Sequence, residues 1–135
     1  MEKTAQILSY SETTNEIRIT AYPQFLDGES NPGRKVYSFA YTITIKNYGE
    51  ELVQLLSRHW AISSGGLPYS DVKGEGVVGQ QPFLKPGEGF QYTSGSVIKD
   101  PVGSMQGEYT FINSTGELFT VMIPRFDLIY PNLLH

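Results

Sequence analysis

From Lys35 to Asn47 the chain alternates without a break. Tyr37, Phe39, Tyr41, Ile43 and Ile45 hold the odd positions, against Ser38, Ala40, Thr42, Thr44 and Lys46. Successive side chains of a strand point to opposite faces, so this run predicts a half-buried strand whose odd face brings three aromatic rings to a core. Such a face needs a second apolar layer over it. The period-two pattern recurs at residues 16–22, where Ile17, Ile19 and Ala21 oppose Glu16, Arg18, Thr20 and Tyr22. Between the two lies Asp27–Arg34 (DGESNPGR), a concentration of turn formers that reads as a loop.

Further strands follow at short intervals. The segment 52–62 offers Leu52, Leu56, Trp60 and Ile62 in even register and only Val53, Leu55 and Ala61 in odd. Gln54 and Arg58 share the even face, which calls for a buried polar pair or a bulge. LVQLLSRHW also satisfies a helical period, but its all-β surroundings and the stop at Ser63–Gly66 favour strand. Additional strands are expected at 69–73 and 89–97, a hairpin at 105–112 and 118–123 around Asn113–Glu117, and a last strand at 126–130, set off by Pro124. The total is seven or eight strands. Trp60 on the third strand, and Gly107–Phe111 read as a tyrosine corner, point to an all-β, immunoglobulin or fibronectin type III-like β-sandwich.

At 135 residues, 39% hydrophobic and 18% charged, the chain is sized and composed for one folded domain spanning 1–135, with its core at roughly 13–131. A formal net charge of −4, with the basic residues scattered and only Arg34 and Lys35 adjacent, argues against nucleic acid as a partner. The absence of cysteine removes disulfides and thiolate metal sites. The N-terminus has neither the basic head nor the apolar run of a signal peptide, and no stretch is long and apolar enough to enter a membrane. The expectation is a cytoplasmic protein.

Several runs carry a specific resemblance. They are Tyr41–Trp60 (YTITIKNYGEELVQLLSRHW), Gly74–Pro82 (GEGVVGQQP), Tyr92–Gly95 (YTSG) and Gly103–Tyr109 (GSMQGEY). In this order they resemble the ApaG (CorD) family over about residues 13–131. The resemblance implies the same sandwich fold. Bacterial members are associated with cobalt resistance and magnesium efflux, and the related domain in eukaryotic F-box and DNA polymerase-interacting proteins looks like an interaction module. No catalytic residues come with the family.

Gly74–Gly79 matches G-x-G-x-x-G, but a dinucleotide fold needs a helix after the glycines, and Gln80–Gly87 holds two prolines and a glycine instead. A helix-free anion nest is the surviving version, with Gly74, Gly76 and Gly79 supplying backbone amides and Lys73 and Lys85 flanking them. It would take phosphate, pyrophosphate or a nucleotide phosphate. The conformational alternative is that glycine is needed there for backbone reasons alone.

The two histidines, His59 and His135, and the acids Glu50, Glu51, Asp71 and Glu75 form no metal-ligand pattern, so neither a metal nor another cofactor is expected. Ser57 and His59 share a strand face by simple alternation, which needs no catalytic meaning, so no enzyme activity is expected. The favoured reading is a protein-interaction module with an unidentified protein partner. It predicts an exposed apolar or aromatic patch, with Tyr22, Tyr48 and Tyr69 among the tyrosines outside the core.

Overall fold

The computed structural model describes residues 8–134, and its strands form two antiparallel layers. The strands are β1 (Tyr10–Thr14), β2 (Ile17–Phe25), β3 (Tyr37–Asn47), β4 (Val53–Ser64), β5 (Leu67–Glu75), β6 (Phe83–Leu84), β7 (Gly89–Ile98), β8 (Val102–Asn113) and β9 (Leu118–Ile129). One sheet has the order β1-β2-β3-β7 and the other β5-β4-β8-β9, with β6 also paired to β4. The segment predicted as a loop carries two short 3-10 turns, Asp27–Glu29 and Pro32–Arg34.

The odd face of β3 is buried along its whole length and faces the other sheet. Tyr41 meets Trp60 of β4 at 5.2 Å between ring centroids, and Trp60 meets Phe126 of β9 edge-on at 5.9 Å. Aromatic pairs at such distances and tilts add to the stabilisation from area burial alone. Ile17, Ile19 and Ala21 of β2 are buried as their alternation predicts.

Among the described residues there are nine strands, rather than seven or eight. β1 (YSETT) was not expected, because it is largely polar and exposed. It forms by hairpin pairing to β2 through a turn in which Asn15 and Glu16 both take positive φ (49° and 65°), the geometry that matches strand twist. β6 is two residues long and too short for any period to show. Trp60 therefore lies on the fourth strand, not the third.

The even register expected from Leu52 to Ile62 holds only after a bulge. Val53 and Leu55 point inward, the pairing to β8 slips between Leu55 and Ser57, and Trp60 and Ile62 then take over the inner face. Pro124 does not separate two strands. It sits where the β8–β9 ladder slips opposite Met105 and Gly107, the kind of position where a missing N–H costs no ladder bond. The tyrosine corner is also revised: the Tyr109 hydroxyl bonds the Tyr92 hydroxyl of β7, in place of a nearby backbone group.

The two long sides of the sandwich differ. On one, the β1–β2 turn closes over β9: Met122 N–H donates to Thr14 Oγ1 and Asn15 Nδ2 donates to the Thr120 carbonyl, both at 3.2 Å. On the other, β5 and β7 end their sheets, and among the described residues no backbone bond covers either edge.

Candidate interaction face

The glycine loop leaves β5 beside Arg58, whose Nη1 donates to the carbonyls of Glu75 and Gly76, each at 2.9 Å. The guanidinium occupies the space that a Cβ on Gly74 would need. Gly76 has φ +64°, and a Cβ there would run into the Gln80 carbonyl oxygen. Val77 and Gln80 exchange backbone bonds of 2.8 and 2.9 Å around Val78–Gly79, both at positive φ, which makes a tight hairpin-type turn. Gly76 N–H donates to the Leu56 carbonyl. The amides of Gly76, Val77 and Gln80 are thus engaged within the protein, leaving those of Val78 and Gly79 for any anion. Lys73 lies on β5 opposite His59, and Lys85 lies in the turn before β7, where its N–H donates to Glu88 Oε1.

On the outer face of the five-stranded sheet, His59 stands between two acids. Its Nε2 is 2.8 Å from Asp71 Oδ1 and its Nδ1 is 3.8 Å from Glu108 Oε1. Ser57 lies one row away with no hydrogen bond to His59 among the described contacts, so the two make no nucleophile–base pair. Among the described residues no group of three or more His, Asp or Glu is placed to hold a metal ion. His135 lies outside the described residues.

The same outer face carries a cross-strand row of apolar residues interrupted by Gln54. Phe83 of β6 is opposite Gln54 of β4, Gln54 is opposite Ile112 of β8, and Ile112 is opposite Leu118 of β9. At the usual strand spacing the row is about 14 Å long. Phe83 is 62% exposed and Leu118 65%. Next to Leu118 opens a cleft of about 630 Å³ between the β1–β2, β3–β4 and β8–β9 turns. Its floor is Ile17, Val53 and Phe119, and its rim carries Glu16, Glu50, Glu51 and Glu117 without a basic residue. Leu118 was legible as an outward residue, because Phe119, Val121 and Ile123 claim the inner register of β9. Phe83 was not, since its strand is defined only by pairing. Tyr48 and Tyr69 are exposed and Tyr22 is half-buried.

The interior polar groups lie elsewhere. Tyr92 and Tyr109 are pushed well above the ordinary tyrosine range, and Tyr41 is raised too, in each case chiefly because burial penalises the phenolate. Arg58 opposes the shift at all three. Buried neutral phenols of this kind serve the core and offer no poised acid or base at neutral pH.

Residues 27–113 match the family model of the ApaG domain. The chain is 50% identical over 111 residues to Protein ApaG of Salmonella arizonae and, equally, of Salmonella newport, covering 82% of this chain and 89% of each relative. It also superposes on the crystal structure of an ApaA protein from Bordetella pertussis with a TM-score of 0.82 at 40% identity, over 90% of this chain and 95% of that one. With four-fifths of its length matched at half identity and the same sandwich in a solved relative, this chain belongs to the ApaG family.

Proposed function

We propose that the chain is a non-enzymatic protein-interaction module of the cytoplasm that binds a protein partner through the outer face of its five-stranded sheet. The observation that carries this reading is the cross-strand row Phe83, Gln54, Ile112 and Leu118, in which two strongly exposed apolar side chains, Phe83 and Leu118, flank the half-buried Ile112 and Gln54. The neighbouring acidic rim suits a partner that sets basic residues beside its apolar contacts. Any effect on cobalt resistance or magnesium efflux would then run through the partner, with no metal bound by this chain.

The test is affinity capture from cells with Phe83→Asp and Leu118→Asp, beside Tyr48→Ser as an exposed control. The expected outcome is a set of proteins retained by wild type and Tyr48→Ser and lost in both aspartate variants. An unchanged set in all four would remove the reading. The alternative, phosphate or pyrophosphate held at residues 74–79, has the Val78 and Gly79 amides and Lys73 to draw on. A saturable thermal shift with pyrophosphate would favour it.

A further inference from the structure

We propose that two copies of the chain pair through β5, antiparallel and about a two-fold axis at Val72, joining their five-stranded sheets into one. This goes beyond the partner-binding reading and uses a different part of the molecule.

Three observations converge on that edge. First, its backbone is regular, and at Asp71 and Lys73 it is free of partners among the described hydrogen bonds, the Glu75 carbonyl alone being held by Arg58. Gly76 N–H donates to Leu56 O at 2.8 Å, and β5 pairs with β4 without a slip from Glu75 to Ser70. Hydrogen-bonded and non-bonded pairs alternate along an antiparallel ladder. Counting from Gly76, the backbone groups of Gly74 and Val72 face β4, and those of Asp71, Lys73 and Glu75 face outward. A strand laid beside β5 therefore finds its partners at Asp71 and Lys73.

Second, the charges and the length of β5 together select one register. Pairing about Gly74 would set Lys73 against Glu75, but it overlaps only residues 73–75 of the strand, and Arg58 already holds the Glu75 carbonyl. Asp71, Lys73 and Glu75 share the outer face of the sheet. Symmetric pairing about Lys73 would set Lys73 against Lys73 and Asp71 against Glu75, and pairing about Asp71 would set Asp71 against itself. Both oppose like charges. Pairing about Val72 sets each Asp71 against the other copy's Lys73, twice by symmetry, with those same residues exchanging backbone bonds. A lone lysine ordinarily guards an edge against pairing. Here the acid two residues away converts the guard into a register signal.

Third, the flanks are apolar and uncovered. The bulge between Ile62 and Ser63 puts Tyr69 just past the regular edge, 46% exposed, with Leu67 beyond it at 70%. In the Val72 register these side chains approach the end of the other copy's β5, where Val78 is 52% exposed. The other sheet edges lack this combination: β1 carries one acid, Glu12, and no base to pair with it. β9 is covered by Thr14 and Asn15, and β7 carries no charged residue to set a register.

The test exploits the absence of cysteine. Val72→Cys places the chain's single thiol at the axis, where a non-hydrogen-bonded pair brings Cα atoms within disulfide reach. Under mild oxidation it is expected to form a covalent dimer, while Thr93→Cys on the β7 edge stays monomeric. Adding Lys73→Asp should slow the crosslinking about tenfold, since two attractive pairs become two repulsive ones. Adding Asp71→Lys as well should restore it. Sedimentation velocity of the unmodified chain should show the same order: self-association in wild type, loss in Lys73→Asp, return in the charge swap. Crosslinking no faster than at Thr93→Cys, or wild type that stays monomeric up to about 1 mM, overturns the proposal.

Discussion

The hydroxyls of Tyr92 and Tyr109 meet at 2.5 Å inside the sandwich, one from β7 and one from β8, and so join the two sheets by a polar contact through the core. Neither hydroxyl has another protein partner among the described hydrogen bonds. Removing one leaves the other buried and unsatisfied, a penalty of about 1–3 kcal/mol. Tyr92→Phe and Tyr109→Phe are each expected to destabilise by that amount in urea denaturation. The double variant should cost less than the sum of the two, because it orphans nothing. Strict additivity would mean the contact contributes no coupling.

The same burial makes stability fall in alkali. Tyr41, Tyr92 and Tyr109 have folded-state pKa values raised above that of the unfolded chain, so the native state holds its phenolic protons longer. Stability from these groups is full below about pH 10, the unfolded value, and is lost as pH rises beyond it. The slope approaches about 1.4 kcal/mol per pH unit for each tyrosine that titrates only on unfolding. Urea midpoints between pH 8 and 11 should drop accordingly. The Tyr92→Phe/Tyr109→Phe double variant should drop less steeply, and equal slopes would assign the loss to other groups.

In the glycine loop, conformation and ligand binding can be separated by choosing the right glycine. Gly76 combines positive φ with a carbonyl oxygen in the way of any side chain, whereas Gly79 has positive φ but open space around it. Gly79→Ala is expected to cost about 1 kcal/mol and Gly76→Ala clearly more, on the order of 2–4 kcal/mol. Thermal denaturation of the two checks this. Loss of anion binding in a Gly76 variant would accordingly report disruption of the turn, and a Gly79 variant is the cleaner probe of a nest.

The inner faces were legible because burial imposes strict alternation. Ile17, Ile19 and Ala21 and the five odd residues of β3 all lie where their spacing places them. The β4 register failed at Leu56 because a bulge resets the face of every later residue, and nothing in LVQLLSRHW marks which residue is extra. The apolar row was half legible. Leu118 follows from the register of its own strand, but Phe83 is set by two residues of pairing to β4, a tertiary fact with no local period. The glycine motif suggested a ligand, while its structural need comes from Arg58 and Gln80, which no spacing rule connects to it.

Asn47 offers the sharpest test of a buried polar plug. It closes β3 almost fully buried, with Nδ2 donating to the carbonyls of Glu51 at 2.8 Å and Leu84 at 3.0 Å, and Oδ1 accepting from Gly49 N–H at 2.9 Å. One side chain thereby ties the β3–β4 turn to β6, which positions both the cleft and Phe83. Asn47→Ala orphans these groups and is expected to cost about 2–4 kcal/mol. Asn47→Asp keeps the shape and the acceptor for Gly49 but aims a carboxylate oxygen at two carbonyls. Below the pKa of that carboxyl its proton can serve only one of them. Above it both contacts become repulsive, so the variant should be least stable at neutral pH and recover part of the loss as the pH is lowered toward 4. Urea denaturation of both variants at pH 4.5 and 7.5 measures this. If Asn47→Asp is no more sensitive to pH than Asn47→Ala, the side-chain amide is not the tie that holds the turn to β6.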